Sequence, residues 1–132
     1  MVWTRLAAVL MGATFLIHVF AGGPEVHAPM LAALSEPDLG AFASILWHAV
    51  TVVLAVLAVG LWGLAERRDP LLEAVLSGIQ LGFAGLFLFY GLARLGTVWP
   101  MPQWVIFLAI PALTRFGQTR RRPTGKVTAS AG

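Results

Sequence analysis

Apolar runs of bilayer length dominate this chain and leave it few ways to fold. The first runs from about Leu6 to Gly22, with His18 as its strongly polar residue. The second runs from about Ala41 to Leu64 and carries His48 and Thr51. The third, from about Leu71 to Leu95, holds Glu73, Gln80, Tyr90 and Arg94. The fourth is short, from about Gln103 to Phe116, with Pro111 inside it. A hydrocarbon core about 30 Å thick requires roughly 20 mostly apolar residues in a helix. Period-two alternation is absent, and the runs are too long for soluble strands. In lipid, backbone groups must bond within their own segment, so an open chain crosses as helices. The expected fold is all-α, an integral membrane four-helix transmembrane bundle over residues 1–118. A disordered basic tail over residues 119–132 is expected to follow it, from its Gly, Ser, Thr and Pro content.

Composition closes other routes. Of 132 residues, 58% are hydrophobic and 11% are charged, against about a quarter charged in a soluble domain. That excludes a soluble globular enzyme and a disordered chain. Cysteine is absent, which excludes disulfide scaffolds, thiolate metal sites and Cys nucleophiles. Arg5, the first apolar run and Val19-Phe20-Ala21 also resemble a cleavable signal peptide. An uncut first helix gives the even topology that the charges support, so residues 1–22 are assigned to the mature protein.

The charges predict that topology. With the N-terminus, the loop Glu66-Arg67-Arg68-Asp69-Pro70 and the C-terminal tail assigned to one side, that side holds every cation except Arg94, Arg115 falling at the tail end of the fourth run. The loop from Gly23 to Gly40 carries Glu25, Glu36 and Asp38 and no Lys or Arg. By the positive-inside rule, both termini are cytoplasmic and the acidic loop is outside. Arg-over-Lys usage with high Ala and Gly suggests a GC-rich bacterial genome. Arg67, Arg68, Arg120, Arg121 and Arg122 then read as topology signals and contacts for anionic lipid, and no nucleic-acid role is expected.

Gly22-Gly23-Pro24 is expected to end the first helix sharply. Pro29 to Leu34 has room for a short interfacial helix, and Ser35-Glu36-Pro37-Asp38 for a cap and turn. Asp69 and Pro70 should start the third helix as N-cap and first-turn residues. Trp3, Trp47, Trp62, Trp99 and Trp104 fall near run ends, as interfacial anchors do. Gly78, Gly82 and Gly85 line one part of the third run. The Gly78/Gly82 pair permits close helix approach, within the chain or in a homo-oligomer. On that reading Gly82→Leu should disrupt packing more than Gly60→Leu.

Polar groups at depth are costly and mark functional candidates. His18, His48, Tyr90 and Arg94 fall at similar heights near the outer ends of three helices. They are expected to converge in one outward-facing pocket under the loop bearing Glu25 and His27. Arg94 should pair with Glu25 or a ligand anion, or snorkel to headgroups. The histidines could hydrogen-bond neighbours only, bind a transition metal with His27 or Glu25, hold a b-type haem, or serve a proton-linked role. No P-loop, dinucleotide fingerprint, G-x-S-x-G or H-E-x-x-H is present.

Phe20-Ala21-Gly22-Gly23-Pro24-Glu25, Trp47-His48-Ala49-Val50-Thr51 and Tyr90-Gly91-Leu92-Ala93-Arg94 together resemble small uncharacterised bacterial four-helix inner-membrane proteins. The resemblance spans most of the chain and implies fold and location, not an activity. The expected function is that of a non-catalytic accessory, assembly or interaction subunit, with the bilayer and other membrane proteins or a second copy as partners and no cofactor. The alternative is a metal, haem or small-ligand binder, or a small transporter, using the His/Arg/Glu cluster.

Overall fold

The computed structural model describes residues 2–120, which form four helical rods and no strand. They are α1 (Val2–Ala33), α2 (Pro37–Glu66), α3 (Pro70–Leu95) and α4 (Gln103–Thr119). The first three are long and apolar enough to cross a membrane. The tail residues Arg121 and Arg122 lie outside the described residues.

α1 packs along both α2 and α4, and α4 along α3, while α2 meets α3 more lightly. The shared core includes Ala7, Met11, Leu54, Leu57, Leu61, Leu76, Ala84, Phe107 and Ile110. Phe107 of α4 stacks on Phe83 and Phe87 of α3, at ring separations of 5.2 and 6.0 Å. Around this core the usual sorting of side chains is inverted. Gln80, Gln118, Thr4 and Thr114 are buried, whereas Phe42, Leu46, Val59, Leu71 and Phe89 are exposed. Single exposed aliphatics are ordinary, but contiguous apolar flanks are the mark of a surface made for another molecule or a membrane.

Polar ties collect the ends of all four helices at one end of the bundle. Gln118 Nε2 of α4 donates to the Leu64 carbonyl of α2 at 3.0 Å and reaches Thr4 Oγ1 of α1 at 3.5 Å. Arg5 pairs with Glu66 at 2.9 Å, and Arg115 with Glu73 at 3.4 Å. Arg120 stands over the Phe116 ring, 4.1 Å from its centroid. The rods therefore run up and down in sequence order, with the start of α1, the α2–α3 turn and the end of α4 together.

Asp69 caps α3 as its sequence suggests, accepting from Leu72 N at 3.0 Å, with Pro70 at the first turn. The first helix does not stop at Gly22-Gly23-Pro24. It continues as a π-type segment over His18–His27 and then as α-helix over Ala28–Ala33. A proline in an α-helix lacks an N–H and crowds the carbonyl four residues back. The wider turn shifts the bonding register, as when Ala28 N bonds to Gly23 O, and so accommodates Pro24. Only residues 34–36 separate α1 from α2, so the acidic loop is much shorter than its sequence suggests.

The glycine expectation is corrected. A Cβ on Gly78, Gly82 or Gly85 would meet nothing within 4 Å, so these residues mediate no close approach within the chain. They share an outward stripe with Val75 and Phe89, opposite the buried face of Glu73, Leu76, Gln80 and Ala84. The close approaches lie elsewhere. A Cβ on Gly60 would come within 2.8 Å of Leu76 Cδ2, and one on Gly117 within 3.1 Å of the Thr4 backbone nitrogen. Gly60 thus brings α2 against α3, and Gly117 brings α4 against α1.

Candidate functional site

At the far end of the bundle, three histidines gather around one tryptophan. Trp47 stacks on His18 with ring centroids 4.1 Å apart and planes 18° apart. It also stacks on His27, at 5.2 Å and 8°. His48 meets His27 edge-on at 5.5 Å. Between the two histidines in sequence, Gly22 turns its missing side chain to the indole. A Cβ there would come within 3.1 Å of Trp47 Cη2.

The π-type segment makes this arrangement possible. His18 and His27 are nine residues apart. At 3.6 residues per turn that spacing is about two and a half turns, which puts them on opposite faces. With i→i+5 bonding it is about two turns, which returns them to one face. Gly22 falls one turn along, where the indole edge passes. Two imidazoles two turns apart, both nearly parallel to one indole, take its opposite sides.

Hydrogen bonds fix the cluster to α2. His18 Nε2 lies 3.1 Å from Thr51 Oγ1 and 3.4 Å from the Trp47 carbonyl. Thr51 spends its own hydroxyl proton on that carbonyl, at 3.1 Å. With its proton on Nε2, His18 donates to both of these oxygens. His27 Nε2 lies 3.4 Å from Ser44 Oγ. Thr14, which shares a helix face with His18, bonds instead to the Leu10 carbonyl.

The expected four-residue pocket is corrected. His18 joins His27, but His48 is exposed and touches only His27 edge-on among the ring contacts; Tyr90 and Arg94 are exposed on α3, and the ring partner of Tyr90 is Phe89. Arg94 forms no ion pair with Glu25 among the described residues, and Glu25 is itself exposed. The reason is the packing order: α1 lies against α2 and α4, which leaves the far end of α3 to one side. No group of three His, Asp or Glu among the described residues could hold a metal ion. His18 and His27 present their ring faces to Trp47.

Trp47, read from sequence as an interfacial anchor, is the centre of the cluster, and Ser44 went unmarked. The Trp47-His48 pair followed by Thr51 was the available signal, but the helical period that aligns His18 with His27 is invisible without the π register. Trp104 is also internally bonded, its Nε1 donating to the Val98 carbonyl at 3.3 Å. Comparison with protein-family models, curated proteins and solved structures gives no match.

Proposed function

We propose that this chain is a multi-pass protein of a bacterial inner membrane, crossing four times with both termini cytoplasmic, and that it acts as a non-catalytic accessory, assembly or interaction subunit. One observation carries the reading. Gln118, His18 and His27 tie the chain's own helices together, while the outward stripe of α3 is left unpacked. Val75, Gly78, Gly82, Gly85 and Phe89 recur at helix-packing intervals there. Small residues at such intervals let a second helix approach closely, where dispersion and weak Cα–H bonds substitute for the hydrophobic effect.

Isolation in mild detergent tests the proposal. A membrane protein should co-purify in fixed ratio and be lost in Gly82→Leu while the variant remains folded. A chain that runs alone as a monomer, or that carries a Soret band or stoichiometric metal, would overturn it.

A further inference from the structure

A second polar site lies at the opposite end of the molecule, in the groove between α3 and α4. Its volume is about 260 Å³, and Glu73, Ala74, Ser77, Leu81, Pro111 and Arg115 line it. Glu73 is only 8% exposed. A carboxylate offers about four acceptor positions, yet this one has a single bond, from Arg115 at a long 3.4 Å. The Arg115 side chain is 73% exposed, so its guanidinium stands at the solvent-facing rim of the groove. The carboxylate is mostly covered but not sealed, so it has acceptor positions left for donors that enter the groove.

Depth identifies what can supply them. Glu73 lies three residues into α3, about 5 Å along its axis, and Arg115 lies one turn before the end of α4. Both are at headgroup level if the bundle crosses a bilayer. From there Ala74, Ser77 and Leu81 form a strip on one side of α3 leading towards the bilayer centre. An acidic group inside, a basic group at the rim and a smooth strip below match an amine, a phosphate and an acyl chain.

We propose that this groove binds a phosphatidylethanolamine-type lipid, its ammonium on Glu73, its phosphate on Arg115 and one acyl chain along Ala74, Ser77 and Leu81. A primary ammonium brings three N–H donors to this carboxylate. A choline headgroup brings the charge without donors, and a glycerol headgroup brings a phosphate without the cation. The inference rests on the membrane reading but not on any protein partner.

The test is titration of delipidated, detergent-purified protein with phosphatidylethanolamine, phosphatidylcholine and phosphatidylglycerol of identical chains, read by native mass spectrometry. The ethanolamine lipid should bind roughly fivefold more tightly than the other two, the scale of one charge-assisted hydrogen bond at a partly wet site. Glu73→Gln should erase the difference between ethanolamine and choline lipids. Ser77→Leu should fill the groove and lower ethanolamine-lipid binding without touching either charge. Glycerophosphoethanolamine, which lacks chains, should fail to compete at equal concentration, and its competing would assign the site to a soluble amine phosphate. Equal binding of ethanolamine and choline lipids by the native chain would overturn the proposal, as would an ethanolamine preference that survives both substitutions in folded protein.

Discussion

His18 illustrates how a polar side chain within an apolar helix can be held by its own neighbours. Its ring face is on Trp47 and its Nε2 lies within hydrogen-bond distance of Thr51 Oγ1 and the Trp47 carbonyl. An aromatic stack of this kind contributes about 0.5–1.5 kcal/mol beyond its buried area. The hydrogen bond contributes less than intuition suggests, because helices unfolded in a membrane find other partners; the measured average is about 0.6 kcal/mol. A double-mutant cycle of His18→Leu and Thr51→Val, read by equilibrium unfolding in mixed micelles, should give a coupling of about that size. Trp47→Leu should destabilise more than either single change, since it removes two stacks at once. A coupling indistinguishable from zero would show that His18 and Thr51 do not bond. The candidate residues were legible one by one, because ionisable groups stand out in an apolar run. Their grouping was not. Equal height placed His18, His48, Tyr90 and Arg94 together on paper, but height does not specify which helices are neighbours, and the far end of α3 is not packed against α1.

Apolar runs of bilayer length announce helices plainly, and the Asp69-Pro70 start was legible because capping chemistry is local. The end of α1 was not legible. Gly22-Gly23-Pro24 reads as a stop under α-helical rules, and the π register that carries the chain through it leaves no sequence signature. Glycine packing failed for a different reason. A G-x-x-x-G pair shows that a close approach is permitted, not which way the face turns. Gly60 and Gly117, each without such a pattern, make the tight contacts instead. Introducing a leucine at Gly60 must displace Leu76, and overpacking of a helix contact costs about 1–3 kcal/mol. Gly60→Leu should therefore lower thermal stability in detergent clearly more than Gly82→Leu, whose side chain enters open space in the single chain. Equal stability losses would mean that the α2–α3 contact at Gly60 is not formed.

At the scale of the whole molecule, one question governs membrane topology: whether α4 crosses. Its 17 residues span about 26 Å at 1.5 Å per residue, slightly less than a hydrocarbon core of about 30 Å. Mismatch of a few ångströms costs only fractions of a kcal/mol per ångström, and local thinning or flanking polar residues absorb it. The internal contacts argue that it crosses. Phe107 stacks on Phe87 well along α3, Arg115 meets Glu73 near the start of α3, and Gln118 reaches both Thr4 and Leu64. A helix bonded along this path runs alongside its neighbours, as the proposed four-crossing topology requires. Four crossings put the N-terminus, the Arg67-Arg68 turn and the arginine-rich end on one face, where the cations concentrate; three would strand the last group on the other side. Reporter fusions after Pro37 and after Gly132 separate the cases. An export-dependent reporter should be active at Pro37 and silent after Gly132, and a cytoplasmic reporter should show the reverse. An exported reporter after Gly132 would leave α4 uncrossed, and the Gln118 ties would then have to break in the membrane.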